Sequence, residues 1–273
     1  MKGFLCVELK RAFALKRFLI ITVVVAILMI AAEYLEVRVP SDMTDEAIMK
    51  TVGISNMYHS SLQSDSYTMV YVVLLSSLCV GSFCKDYNSR YLRVILGRTD
   101  TLSYTISKFL AHLMAVSAAL LAATIIYVLY FYMNGFSITA EEQTYMHIFA
   151  DIEYKFPLMY ILMLWVNLSL NIAVFGAMGM AFSAYQPNSF ISLGIGALLF
   201  FLFKTVGGYF LGAFPLNIQL VMGMTSMSSI ECPQNIKMVL EVVWDVCYLM
   251  LLIVICAYLF YQKLERRRAN GNF

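Results

Sequence analysis

Residues that commonly carry out catalysis are few in this chain of 273 residues, and their spacing predicts no active site. The sequence contains neither a phosphate loop of the form G-x-x-x-x-G-K-[ST] nor the H-E-x-x-H and G-x-S-x-G motifs of metalloproteases and serine hydrolases. Its six cysteines lack metal-site spacing, and the adjacent Glu141 and Glu142 are typical of a solvated loop. We therefore predict no catalytic residue, no metal site and no cofactor held by this chain.

Three polar residues lie in otherwise apolar stretches of the sequence. Asn167 and Asn171 are four residues apart, so they share one face of a helix. There, amide side chains either hold helices together or line a translocation path. Lys204 is the one charge in its apolar stretch, placed either to snorkel to the surface or to contact an acidic substrate or lipid headgroup. A proton relay needs a string of ionisable groups, and the sequence indicates none.

The elements that carry these residues are apolar helices. The chain is 61% hydrophobic and 13% charged, whereas a soluble domain is about 45–50% apolar and about 25% charged, which excludes a soluble globular enzyme. A bilayer core about 30 Å thick requires roughly 20 apolar residues in a helix. Six stretches meet this requirement, at residues 18–35, 68–84, 109–132, 156–183, 189–212 and 243–261. The predicted fold class is an all-α polytopic membrane protein, with a six-helix transmembrane domain over residues 18–261.

The distribution of Lys and Arg predicts the orientation of the chain. Six spans place both termini on one side, together with residues 1–17, 85–108, 185–188 and 262–273. That side carries 14 of the 19 Lys and Arg residues, and the opposite side carries 4. The positive-inside rule therefore predicts an N-in/C-in, multi-pass protein of the cell membrane with both termini cytoplasmic.

Two cytoplasmic segments have amphipathic patterns. Residues 1–17 predict an interfacial elbow helix that leads into the bilayer at Phe18. In the 85–108 loop, we predict a short helix from Asp86 to Leu96, with Asp86 and Arg90 as an i,i+4 ion pair and Gly97 as the stop. This helix either rests on lipid headgroups or docks a cytoplasmic partner. The candidate docking residues are Asp86, Arg90, Arg93, Leu96 and Arg98.

These two segments resemble permease subunits of the type-2 ABC exporter family. Glu8–Phe18 is similar to the start of such subunits. In the family, an acidic residue at the end of the second span opens a short cytoplasmic helix, and the positions that match its pattern are Asp86, Arg93, Val94–Leu96, Gly97–Arg98 and Ser107–Lys108. Arg90 stands where a glycine is common, and Thr99 stands where a proline is usual. The six-span, N-in topology and the chain length also fit the family.

The resemblance implies a mechanism in which this chain is not the ATPase. Two permease subunits, either two copies or a copy and a sibling, would form a dimer. Two separate cytoplasmic ABC ATPase subunits would bind ATP and Mg²⁺ and dock on the 86–97 segment as a coupling helix. The family also has short re-entrant helices after the fifth span. Pro215–Ser229, within the 213–242 outer loop, is then either re-entrant or an outer amphipathic segment.

The function implied is export of an amphiphilic substrate, such as a peptide, a lipid or an antibiotic, without a large extracellular domain. Membrane lipids are the other expected partner, and no nucleic acid is expected. Two alternatives stay open, a secondary carrier and a signalling or scaffold protein that docks a partner without ATPase activity. A carrier would favour an internal repeat between the two halves, and none is clear. Cys232 is the one cysteine on the outer side, where it is either free or paired with another molecule.

Overall fold

The structure is a computed structural model that describes residues 2–36, 53–63, 65–138, 150–210 and 234–270. The described part of the chain is helical and contains no strand. Its eleven helices are α1 Lys2–Ala12, α2 Leu15–Glu36, α3 Ile54–Gln63, α4 Asp65–Ser76, α5 Gly81–Asn88, α6 Tyr91–Arg98, α7 Thr101–Met133, α8 Ala150–Lys155, α9 Pro157–Ser183, α10 Ser189–Phe210 and α11 Gln234–Ala269.

Five helical segments in these ranges are long and apolar enough to cross a membrane. They are Leu15–Leu35, Tyr67–Asn88, Thr101–Met133, Pro157–Ser183 and Val242–Ala269. A further apolar helix, Ser189–Phe203 within α10, is shorter. The helical, multi-pass membrane class predicted from composition is therefore confirmed. α7 and α11 extend well beyond the predicted apolar limits of 109–132 and 243–261, because their terminal turns stay helical after the apolar run has ended.

The second predicted span, residues 68–84, is not one continuous α-helix. α4 ends at Ser76 and α5 begins at Gly81, and the amides of Leu78 and Cys79 bond to carbonyls three residues back, at 3.2 Å. The Ser77 hydroxyl donates to the carbonyl of Leu74 at 2.7 Å, a back-bond that bends helices. The guanidinium of Arg17 binds the Ser77 carbonyl, which the bend exposes.

The predicted helix from Asp86 to Leu96 is wrong, because the chain breaks between α5 and α6. Arg90 has a φ of 58°, in the left-handed region, and Gly97 lies inside α6 rather than after it. The structure buries Asp86 and also buries Ile95 and Leu96. In a straight helix at 100° per residue, Asp86 would lie on the side opposite Ile95, so one surface could not bury both. The break turns both faces inward, and the predicted Asp86–Arg90 pair does not form.

α9 lies at the centre of the bundle, where it packs against α3, α4, α5, α7, α8, α10 and α11. Small residues bring α9 and α10 close together. A Cβ on Gly179 would lie 2.5 Å from the carbonyl oxygen of Ser192, and one on Gly196 would lie 2.9 Å from that of Phe175. Close backbone approach at small residues is the usual way in which membrane helices associate.

The charged segments gather at one end of the bundle, which we call the basic end (residues 2–12, 85–108, 184–188 and 262–270). Arg268 Nη1 donates to Thr101 Oγ1 at 3.2 Å, and Arg267 Nη2 donates to the Tyr185 carbonyl at 3.0 Å. At the opposite end, the Ile54 amide donates to the Ser137 carbonyl at 2.9 Å. The basic segments that the sequence assigns to one side of the membrane therefore contact one another.

Candidate functional site

Four charged side chains meet at the basic end in one buried cluster, formed by Glu8, Arg11, Asp86 and Lys108. Lys108 Nζ lies 2.8 Å from Glu8 Oε2 and 2.8 Å from Asp86 Oδ2. Arg11 Nη1 lies 3.0 Å from Glu8 Oε1 and 3.0 Å from Asp86 Oδ1. Each carboxylate thus bridges both cations, and the four charges form a closed ring that joins α1, α5 and α7.

Helices α1 and α7 each contribute two side chains to the cluster, and in each helix the two residues are one turn apart. Glu8 and Arg11 are neighbours at i,i+3 on α1. Tyr104 and Lys108 are neighbours at i,i+4 on α7, where the Tyr104 hydroxyl donates to Asp86 Oδ2 at 3.1 Å. Lys108 Nζ also donates to Ser82 Oγ at 3.1 Å. The carboxylate of Asp86 and the ammonium group of Lys108 therefore each have a hydroxyl partner in addition to their ion pairs.

Burial makes this cluster energetically demanding. Glu8 is 3% exposed and Lys108 is 2% exposed, and an unpaired charge at such a depth would cost several kcal/mol. Two carboxylates and two cations balance one another. Desolvation lowers the pKa of Arg11, but the carboxylates of Asp86 and Glu8 outweigh it and raise that pKa above its ordinary value, so the guanidinium is ionised.

The cluster reaches α6 through an aromatic contact. Arg11 Cζ lies 5.6 Å from the centre of the Tyr91 ring, at the first residue of α6. On α6, Leu92, Ile95 and Leu96 are buried, whereas Tyr91 and Val94 are 45% and 50% exposed. A movement of α6 would therefore act on the cluster through Tyr91 and through the short link to α5.

The five residues predicted to dock a partner do not share one surface. Arg90, Arg93 and Arg98 are exposed. Asp86 and Leu96 are buried, Asp86 in the ion cluster and Leu96 in the apolar core, so neither can contact a partner in this arrangement. The reason is the break at Arg90, which turns Asp86 and Leu96 to the inside of the bundle.

The residues predicted to line a path or pack helices lie in the centre of α9. Asn171 Nδ2 donates to Asn167 Oδ1 at 3.0 Å and to the Asn167 carbonyl at 3.0 Å, which confirms that the two amides share a face. Both are buried, and Asn167 Nδ2 and Asn171 Oδ1 find no hydrogen-bond partner among the described residues. Lys204 belongs to α10, but its side chain lies outside the described part. Cys232 and Pro215–Ser229 lie outside it as well.

A second polar cluster, at the end of the bundle opposite the basic end, was not predicted. α3 inserts among α2, α4, α7 and α9. The Ser55 hydroxyl donates to Glu153 Oε1 at 2.9 Å, and His59 Nδ1 lies 3.0 Å from the Tyr160 hydroxyl. Nearby, Glu33 of α2 is 4% exposed and accepts a 3.2 Å bond from the Tyr127 hydroxyl. Glu33 could have been found from the sequence, because it is an acidic residue inside the first apolar stretch. A single acidic residue changes the mean hydropathy of such a stretch very little, so the search for spans does not single it out.

The fold and these two clusters define a multi-pass helical membrane protein with ionisable groups buried near both ends. In the described residues, no group of three or more His, Cys, Asp or Glu is placed to hold a metal ion. Searches against protein-family models, curated proteins and solved structures return no match to this chain.

Proposed function

We propose that this chain is the transmembrane permease subunit of a type-2 ABC exporter. It would move an amphiphilic peptide, lipid or antibiotic outward, powered by two separate cytoplasmic ATPase subunits, with a second permease copy or a sibling completing the dimer. The observation that carries the proposal is the buried ion cluster. Glu8 comes from one of the two segments on which the family resemblance rests, and Asp86 and Lys108 come from the other. Lys108 lies within hydrogen-bond distance of both carboxylates.

The geometry of α6 also supports the proposal. A coupling helix needs an exposed contact face and a rigid link to the spans. Tyr91, Val94 and the guanidinium groups of Arg90 and Arg93 supply the face. The link is the ion cluster, because Asp86 lies in α5 just before α6, and Arg11 contacts the Tyr91 ring. Closure of an ATPase dimer below α6 would therefore be transmitted to α1 and α7 together.

The same proposal includes six crossings, with both termini cytoplasmic. Contacts at the basic end support it, since α1, the start of α7, the turn after α9 and the end of α11 all meet there. If the first span begins and the last span ends on the same side of the membrane, the chain crosses the membrane an even number of times. α10, the 22-residue helix Ser189–Phe210, is then the sixth crossing. The basic composition of this end favours the cytoplasmic side.

The first experiment is purification of the tagged chain from its native membrane in mild detergent, with mass spectrometry of the proteins that copurify. The proposal expects a stoichiometric soluble subunit that carries a phosphate-loop motif. Repeated absence of such a subunit from intact permease would overturn the ABC assignment in favour of a carrier or a scaffold.

A charge reversal tests the docking face directly. Arg93→Glu should abolish copurification of the ATPase and its stimulated ATP turnover, because Arg93 is exposed on α6 and serves no described internal contact. Arg266→Glu, an equal charge change on an exposed residue of α11, is the matched control and should keep both. If the Arg93→Glu complex forms and turns over ATP normally, α6 is not the docking element.

Glu33 is the observation that favours the alternative of a secondary carrier. A carboxylate buried within a membrane span commonly marks an ion or proton pathway. Transport by reconstituted chain alone, driven by a pH gradient and lost in Glu33→Gln, would support the carrier. Transport that requires the ATPase and survives Glu33→Gln would support the exporter. The variant suits this test because glutamine keeps the shape of a neutral carboxyl group and its bond from Tyr127.

A further inference from the structure

The last turns of α11 hold two cations against two tyrosine rings of neighbouring elements. Lys263 Nζ lies 4.7 Å from the centre of the Tyr185 ring, in the turn between α9 and α10. Arg267 Cζ lies 4.9 Å from the centre of the Tyr87 ring, near the end of α5. Lys263 and Arg267 are four residues apart, so they project from the same face of α11. We call them the Lys263–Arg267 pair.

Within the part of the chain that the structure describes, neither Lys263 nor Arg267 forms an ion pair with a carboxylate. Glu265 lies between the two cations in sequence, which puts it on the opposite face of α11. Arg267 Nη2 donates to the Tyr185 carbonyl at 3.0 Å, but its Nη1 is covered from solvent and lacks a hydrogen-bond partner. The two positive charges are therefore not compensated by a carboxylate among the described residues.

The depth of the pair along α11 matches a particular layer of the membrane. The apolar part of α11 ends at tyrosines, among them Tyr258, which is more than half exposed, and Tyr261. At 1.5 Å per residue, Lys263 lies about 3 Å beyond Tyr261 and Arg267 about 9 Å beyond it. The headgroup layer on each side of the hydrocarbon core is about 5–8 Å thick. The two cations therefore span the depth at which lipid phosphates lie.

We propose that the Lys263–Arg267 pair binds the phosphate of an anionic phospholipid. Lys263 and Arg267 supply two positive charges, and the rings of Tyr87 and Tyr185 hold the two cations in place. A bound lipid would tie the end of α11 to the α9–α10 turn and to α5. This inference needs only that the basic end lies at a membrane surface, so it stands apart from the exporter proposal.

The test uses full-length protein in nanodiscs of phosphatidylcholine with or without phosphatidylglycerol, followed by a mild detergent wash and native mass spectrometry. Wild-type protein should retain phosphatidylglycerol in preference to phosphatidylcholine. The double variant Lys263→Gln and Arg267→Gln should lose affinity for it by about five-fold for each charge removed. The charge-conserving pair Lys263→Arg and Arg267→Lys should retain the lipid, which separates loss of charge from loss of folding.

The matched control is the double variant Lys85→Gln and Arg266→Gln, which removes two exposed charges at the same end of the bundle. It should bind phosphatidylglycerol as the wild type does. Equal retention by the wild type and the Lys263–Arg267 double variant would overturn the site, as would equal loss in this control. Displacement of the lipid by inorganic phosphate alone would identify a free-phosphate site and overturn the lipid assignment.

Discussion

Lys108 is the residue on which the buried ion cluster depends most, because its ammonium group contacts both carboxylates at 2.8 Å. Lys108→Met keeps the aliphatic stem but leaves Arg11 alone with two buried carboxylates. We expect a loss of about 3–5 kcal/mol in the free energy of unfolding. Thermal unfolding in detergent, followed by the loss of soluble folded protein, measures it.

Arg11→Gln is the matched comparison in the same cluster. The Arg11 side chain is 39% exposed, so water can screen the carboxylates that it leaves, and Lys108 still holds both of them. The expected loss is well below that of Lys108→Met, about 1 kcal/mol. Equal losses in the two variants would show that the cluster is not organised around Lys108.

Arg90 carries the one described left-handed backbone conformation in a residue other than glycine. A side chain in this region costs about 1–2 kcal/mol, and glycine avoids that cost but loses more entropy on folding. Arg90→Gly should therefore raise the free energy of unfolding by up to about 1 kcal/mol. Arg93→Gly, three residues on and inside α6, should lower it by about 0.5–1 kcal/mol. Chemical denaturation of both variants tests whether the signs are opposite.

Among the elements, the α9–α10 contact makes the sharpest prediction. A methyl group on Gly179 would lie 2.5 Å from the backbone oxygen of Ser192, and backbone cannot move aside as a side chain can. Gly179→Ala should lower the free energy of unfolding by about 1–3 kcal/mol. Gly194→Ala, in α10 with nothing within 4 Å of the added atom, should be neutral or stabilising. Thermal unfolding of the pair separates a packing effect from helix propensity, and a stable Gly179→Ala would contradict the close contact.

The elements also show what the sequence could predict. Long apolar runs such as α7 and α9 are predictable, because a membrane span is defined by length and hydropathy. α3 is not, because Ile54–Gln63 mixes polar and apolar residues and is buried only by the helices around it. The break at Arg90 is also hidden, since arginine carries no turn signal. It follows from the need to bury both Asp86 and the apolar face of α6.

The ion cluster could be predicted only in part, for a related reason. The types of its residues were visible, and the family pattern included Asp86 and Lys108, whereas Glu8 was only the first residue of the segment Glu8–Phe18 that resembles the start of such subunits. Their meeting depends on contacts of α1 and α5 with α7, and Glu8 and Lys108 are 100 positions apart in the sequence. Helical periodicity relates residues within one element and carries no information about such a contact. The interpretation of Asp86 as a surface docking residue failed for this reason.

In the whole molecule, the two polar clusters lie at opposite ends of a bundle centred on α9. The basic end is held by charge pairs, and the opposite end by hydrogen bonds from α3 to α7, α8 and α9. In the exporter that we propose, opening toward one side would break the cluster at that end, while the cluster at the other end would stay intact.

Topology is the property of the whole molecule that decides most about its function. Five crossings would put the termini on opposite sides, and six would put them on the same side. The basic end brings α1 and the last turn of α11 together, through Glu8–Lys108 and Arg268–Thr101, so we expect six crossings with both termini inside.

A membrane-impermeant maleimide should label Cys6, which is exposed on α1, only after cells are permeabilised. A fluorescent protein fused after Phe273 should fluoresce, and alkaline phosphatase fused there should be inactive. Labelling of Cys6 in intact cells, or an active phosphatase, would place that terminus outside and remove the cytoplasmic position that docking of an ATPase on α6 requires.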